Sequence, residues 1–403
     1  MKRIPLISIL LFIVLFSCDI EEIPDSQSES FVKFYGAGLN DKGVKVITTE
    51  NGYVILANIE NPGRGMDICL IQTDKFGNSI APAAVIGGAF DDEGNVIKAI
   101  EGGYVIGGYT RETDYADKDI YLVQIDLNDP QNYLPFTRKY DLDNEIYDLI
   151  VKDSGIVVAT GYTDSLGQGL NMLLLEADIA EDTLFSKGNL GTPNDEVAYA
   201  IAPTQNEYII MGYQRSLTTT SGVTDAIWGL RWAGGSAGFE VIGPNIHIEG
   251  SHNVRAKAIA KRNNNEYYVA CDVTETGSNI THVEIIKMDI EGHNIMAENK
   301  AYGEYSITIV NELKLVDNTL YLCGTSSANL TLAANSQDTR GYMFILRTGI
   351  DGSQPVYHYS GDGTTFTGNG FDLTADGGFI LTGATYVNQQ SSQSAINLCK
   401  IRL

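Results

Sequence analysis

The chain is short of positive charge: 27 Lys and Arg stand against 51 Asp and Glu, a formal net charge of -24 over 403 residues. That balance excludes DNA or RNA as the natural partner, because phosphate binding needs a basic patch. It also disfavours adsorption onto anionic lipid headgroups. Cysteine is scarce. Besides Cys18 there are only Cys69, Cys271, Cys323 and Cys399, each inside an apolar strand pattern and none in a Cys-x-x-Cys pair. They read as buried free thiols, although an exported chain could pair four cysteines. The histidines, His247, His252, His282, His293 and His358, include no HExxH or other helix-spaced pair, so no zinc motif is present. Nothing in the sequence has the long amphipathic periodicity of a helix.

What is present is a repeat. Seven times an aromatic or aliphatic residue is followed by a few apolar residues and then a small one. The anchors are Tyr53, Tyr104, Ile156, Tyr208, Tyr267, Leu320 and Phe379, spaced by 51 to 59 residues. A near-fixed period of that length marks a repeat architecture. Ala57, Gly108, Gly212, Cys271, Gly324 and Gly383 are the small residues; the third unit has Thr160 there and Gly161 next, which implies a bulge or one-residue insertion. A small side chain at one place in every unit implies close backbone approach.

Each unit reads as four short strands. An alternating segment such as 44–47 or 96–99 leads through an Asp/Asn/Gly turn into the anchor strand. A third strand ends in a long polar residue (Gln72, Gln124, Glu176, Arg231, Lys287, Arg347, Lys400), and a shorter fourth follows. Residues 31–36 match a fourth strand, whereas the chain stops on a third. The last unit is therefore one strand short and the first has one to spare. The arrangement that satisfies both is a closed ring: an all-β, seven-bladed β-propeller over 31–403, with the N-terminal strand completing the last blade and no open edge left over.

Residues 1–17 read as a secretory signal: Lys2 and Arg3 precede an apolar run at 4–16 that falls short of the ~20 residues needed to cross a bilayer. Leu15-Phe16-Ser17-Cys18 resembles a bacterial lipobox, which implies acylation of Cys18. Residues 18–30, acidic and polar, then read as the lipidated Cys and a flexible tether. Asp19, Glu21 and Glu22 resemble the surface-export signals of Bacteroidota lipoproteins. The blade cassette, with Glu101-Gly102-Gly103-Tyr104 and Asp376-Gly377-Gly378-Phe379 as its clearest copies, resembles the Asp-Gly-Gly-Tyr propeller repeats of Bacteroidota extracellular proteins and lipoproteins. The resemblance implies an outer-membrane, lipid-anchored protein, facing the cell exterior.

Chemistry is harder to find. Gly234-Gly235-Ser236-Ala237-Gly238 has the letters of a nucleophile elbow, but a strand-like segment follows where a helix is required, so it reads as a turn. Trp228 and Trp232 share one third strand and read as blade-to-blade packing rather than a sugar platform. The constellation that remains is acidic. Asp91, Asp92 and Glu93, then Asp141, Asp143 and Glu145, then Asp195 and Glu196 lie on loops entering the first strands of neighbouring units. In a propeller these loops ring one mouth of the central channel. They could hold a cation, a basic peptide or sugar hydroxyls; turn formation is the competing reason for Asp at such places. Oxygen ligands of this kind suit calcium, yet no EF-hand spacing occurs, and no cofactor motif is present.

The leading expectation is thus a non-catalytic, lipid-anchored binding protein of the outer membrane, an accessory subunit of an envelope transport or secretion complex, with a surface protein, peptide or glycan as partner. The alternative is a carbohydrate-active hydrolase or lyase using carboxylates at the mouth. A third reading is a spacer with no ligand.

Overall fold

The structure is a computed structural model that describes residues 30–402, apart from 115, 127–128, 141, 166–168, 219–221, 235–238, 244–251, 276, 279, 296–299, 329–338 and 389. Cys18, Asp141 and the Gly235-to-Gly238 segment lie outside the described residues. So does the rest of 1–29, the segment read above as signal and tether.

The described residues form β-strands and no helix. Each blade is an antiparallel four-stranded sheet. Blade one is Lys42–Thr48, Gly52–Asn61, Gly65–Asp74 and Ala84–Ile86, paired in that order, and blades two to four repeat the plan. Blades five and six share one sheet, joined by a single parallel bridge between Thr281 and Ile307. Blade seven is built from Gly370–Leu373, Phe379–Tyr386 and Ser394–Ile401, and its outermost strand is Phe31–Tyr35, with Phe31 opposite Lys400 and Tyr35 opposite Ile396. The closure drawn from the misplaced fourth strand is the closure observed. A second stitch lies beside it: the N–H of Asp41 donates to the Ser394 carbonyl at 3.3 Å and that of Ser394 to Leu39 at 2.5 Å.

The core is a ring rather than a ball. Seven apolar clusters each draw on two adjacent blades, from Leu56 and Ile106 between blades one and two, round to Ile55 and Leu398 between blades seven and one. The second strands carry the anchors because they lie between two neighbours and are buried on both faces, so they need no polar alternation. Ile55, Leu56, Ile106 and Leu322 are fully buried. Truncating any of them to Ala would cost about 2–5 kcal/mol. Trp232 is buried and Trp228 packs with it between blades three and four, as the packing reading expected. The four described cysteines are buried free thiols.

The small residue has a specific cause. In blades one to six the innermost strand carries a β-bulge at one equivalent point: Val44, Asn95, Tyr147, Tyr199, Lys257 and Asn311 are the extra residues. The bulge drives a carbonyl onto the neighbouring strand. A Cβ on Gly108, Gly161 or Gly212 would lie 1.8 Å from the carbonyl oxygen of Glu93, Glu145 or Val197. This corrects the reading of the third unit. Gly161, not Thr160, holds the small position, opposite Ile146, and the irregularity sits on the innermost strand rather than on the anchor strand.

Candidate functional site

The loops that enter the innermost strands gather at one end of the ring, and the described acids singled out in the sequence, all but Asp141, are there, already engaged. Asp91 accepts the backbone N–H of Met66 at 2.9 Å, Asp143 that of Lys118 at 2.7 Å, and Asp195 that of Leu170 at 3.2 Å. In each case the donor opens the third strand of the preceding blade. Asn253 does the same for Asp225 at 2.9 Å. These residues are clasps between blades. Asp92 and Glu196, both buried, instead fold their own loops: Asp92 accepts Gly88 N–H at 2.6 Å, and Glu196 accepts Thr192 N–H at 3.1 Å and the Gln214 amide at 2.9 Å. Burial pushes the Asp92 carboxyl above the usual range. Among the described acids, Glu93 lines the channel, and Glu145 lies close to it, both carboxylates facing the Tyr109 phenol. Glu93 accepts the Tyr109 hydroxyl at 2.5 Å, and Glu145 accepts Asn95 at 2.8 Å, Lys118 Nζ at 2.7 Å and the Tyr162 hydroxyl at 3.2 Å.

The channel itself has a volume of about 660 Å³. The bulged residues all line its wall, and two of them, with Asn369 at the matching place in blade seven, serve as latches. Asn95 donates to the carbonyl of Ile146 at 2.9 Å, Asn311 to Gly368 at 2.7 Å and Asn369 to Gly43 at 2.8 Å. Each reaches the residue just before the next blade's bulge position. Where blade one has Val44, Asn58 takes over the latch and donates to Gly94 at 3.2 Å.

Blades three to five depart from this pattern. Tyr147, Tyr199 and Lys257 occupy the bulges. The two rings are 5.1 Å apart, and the Lys257 ammonium sits 3.5 Å from the centre of the Tyr199 ring. Behind them, Tyr162 lies 5.9 Å from Tyr147 and Tyr213 lies 5.9 Å from Tyr199. Arg255 covers the Tyr213 ring at 4.8 Å. The buried carboxylate of Asp225 holds two guanidiniums, Arg215 Nε at 2.9 Å and Arg255 Nε at 2.6 Å.

The site's electrostatics follow from enclosure. Burial lowers the Lys257 pKa to about 8, with the charge of Asp272 opposing and that of Arg255 reinforcing the shift. Burial raises the Asp272 pKa to about 6, opposed by Lys257 and by the N–H of Val310. Tyr199 and Tyr213 are pushed up to about 12 by burial, and Tyr147 well above its ordinary value for the same reason. At neutral pH the phenols therefore keep their protons, and the amine is within reach of its neutral form. Six basic and five acidic side chains line the channel of a chain whose net charge is -24. The wall is thus locally enriched in cations. No group of His, Cys, Asp or Glu able to hold a metal occurs among the described residues.

The tyrosines leave a signal in the sequence that the acid-centred reading does not use. Tyr109, Tyr162 and Tyr213 each follow the small residue of three consecutive anchor strands, and Tyr147 and Tyr199 recur one unit apart.

No family model and no curated protein matches the sequence. Among solved structures, the chain is similar to an ulvan lyase of a polysaccharide lyase family, at 10% identity and a TM-score of 0.58, over 92% of this chain and 98% of that one. It is similar to the β-propeller domain of the trilobed protease of Pyrococcus furiosus, at 10% identity and a TM-score of 0.50, over 92% and 96%. It also spans about half (51%) of an acylaminoacyl peptidase of Pyrococcus horikoshii, with 89% of this chain covered at 10% identity and a TM-score of 0.50. These likenesses show the fold: the chain is a β-propeller. They also correct the leading functional expectation. A solved propeller of similar fold over 92% of this chain is a polysaccharide lyase, so the propeller fold is no argument for a non-catalytic role. The reading as a non-catalytic envelope-binding subunit is set aside.

Proposed function

We propose that this protein is a carbohydrate-active enzyme that cleaves a uronate-bearing polysaccharide by β-elimination at the mouth of the channel. The observation that carries the reading is the arc of blades three to five, where a lysine of lowered pKa faces a tyrosine ring and an arginine stands two residues away. The ulvan lyase of similar fold is described with a glucuronate-containing sugar bound; for this chain the reading rests on its own residues.

The roles follow from the chemistry of elimination. Arg255, oriented by Asp225, faces the uronate carboxylate and offsets its charge, which acidifies the C5 proton. The neutral amine of Lys257 takes that proton. The electron pair becomes the C4–C5 double bond, the C4–O4 bond breaks, and the Tyr147 phenol gives its proton to the departing oxygen. Solvent then restores both groups. In this scheme every proton movement is supplied by side chains.

The lipobox-like Leu15-Phe16-Ser17-Cys18 supports an anchored protein that works on glycan at the outside of the cell, so Cys18 belongs to the same proposal. The deciding experiment is a survey of uronate polysaccharides (alginate, pectate, ulvan) followed by the ultraviolet absorbance of the unsaturated uronate. Absorbance that grows with new chain ends supports elimination. New reducing ends without absorbance would transfer the chemistry to hydrolysis by Glu93 and Glu145. Failure to cleave any uronate polymer would overturn the enzyme reading.

A further inference from the structure

Blade six breaks the repeat at a second place, away from the channel. Tyr342 opens its third strand, opposite Ser326. The corresponding positions in blades one to three are Asp67, Asp119 and Asn171, so the fold does not demand a ring there. Tyr305, on the loop entering the innermost strand, lies 5.4 Å from Tyr342, and Tyr359, at the end of the fourth strand, lies 5.5 Å from Tyr305 and 5.6 Å from Tyr342. Tyr357 is parallel to Tyr359 to within 1°. Three segments thus converge to make one aromatic cluster.

All four rings keep part of their surface accessible, and Glu304 beside them is exposed. The Glu304 carboxylate accepts the Tyr359 hydroxyl and raises that phenol's pKa further after burial. The cluster also sits on a chosen side of the ring. Tyr305 stands on the same kind of loop as Asp91 and Asp143, so the cluster shares a face of the propeller with the channel mouth.

We infer that this cluster is a second glycan-binding site, a platform for pyranose units of an extended polysaccharide lying outside the channel. A sugar ring offers C–H faces to aromatic rings and hydroxyls at its edges to phenols and carboxylates. The cluster pairs these features, whereas a protein-docking patch of this kind would be expected to be apolar at its centre. The negative charge of Glu304 selects the uncharged face or unit of the polymer rather than its carboxylates. The site takes its ligand class from the proposed function, but it is tested by binding, not by turnover.

The test is native electrophoresis of the full chain through gels containing alginate, pectate or ulvan, alongside turnover of short uronate oligosaccharides. Wild-type protein is expected to be retarded by at least one polymer. Tyr305→Ala, chosen because it lies on a loop, and Tyr342→Asp, which restores the residue of blades one and two, are expected to weaken retardation five-fold or more. Turnover of oligosaccharides too short to reach the rim should be unchanged. Lys257→Ala should remain retarded. Retardation of wild type that both variants weaken, without any turnover, would keep the platform and remove the enzyme reading. Unaltered retardation in both folded variants, or no retardation of wild type by any polymer, would overturn the platform.

Discussion

The Lys257 ammonium lies 3.5 Å above the Tyr199 ring, each residue on the bulge of its own blade. Its lowered pKa of about 8 has two consequences of opposite use. As a base it works only when deprotonated, so turnover should rise with pH and level off above about pH 8. Lys257→Ala should lower kcat by about 10²–10⁴-fold. Lys257→Arg, which cannot deprotonate, should lose as much while keeping the charge; wild-type rates in that variant would sink the role.

The same shift predicts a stability effect. A lysine whose folded pKa lies below its unfolded value of 10.5 weakens the fold wherever it is charged, fully below about pH 8, and less as pH climbs towards 10.5. Lys257→Met should therefore raise the melting temperature at pH 7 and abolish cleavage. A lower melting temperature at pH 7 than at pH 9.5 in wild type, with the difference absent in Lys257→Met, is the expected signature.

Asp143 and Lys118 illustrate the clasp between blades, a carboxylate on a backbone N–H at 2.7 Å. Asp143→Ala leaves that N–H without its partner and should cost about 1–3 kcal/mol. Asp143→Asn keeps an acceptor and should cost much less. Thermal melts of the two variants decide it: equal losses would mean that the clasp contributes nothing through the hydrogen bond.

Gly212 faces the carbonyl of Val197, and a Cβ there would sit 1.8 Å from the oxygen. Gly212→Val should destabilise by at least the ~1–3 kcal/mol typical of overpacking, because backbone, not a flexible side chain, must yield. Soluble expression with an unchanged melting temperature would show that the bulge can flatten.

Much of the architecture was readable because the repeat states it seven times and because a fourth strand at 31–36 has nowhere else to pair. The bulge was not readable. It belongs to the innermost strand, and its mark in the sequence, the small residue, lies on the strand beside it; hence the third unit was set one residue early at Thr160. The site was half readable. The spacing of Tyr147 and Tyr199 is plain in the sequence, but the lowered pKa of Lys257 depends on enclosure by a wall assembled from every blade. The acids were conspicuous for a different reason: turns and clasps select Asp and Asn as strongly as a binding site does.

Cys18→Ala should release the protein from the membrane fraction if the chain is acylated there. Membrane association that survives the substitution would remove the anchor and leave the propeller's chemistry untouched.

The closure by Phe31–Tyr35 also sets a schedule. This strand is the first of the domain to be made, and its partner, Ser394–Ile401, is the last. Throughout synthesis it waits as an unpaired edge whose Val32 and Phe34 remain exposed even in the finished ring, at 44% and 55%. Each completed blade can settle on its predecessor, but the circle cannot lock until the final residues arrive. The growing chain is thus an open arc with a free strand at one end and unfinished edges at the other, and a neighbouring copy could supply the missing partner. Removing residues 31–36 would make that waiting state permanent, giving a lower melting temperature and concentration-dependent association in light scattering; an unchanged, monomeric melt would show that the seventh blade stands without its first-made strand.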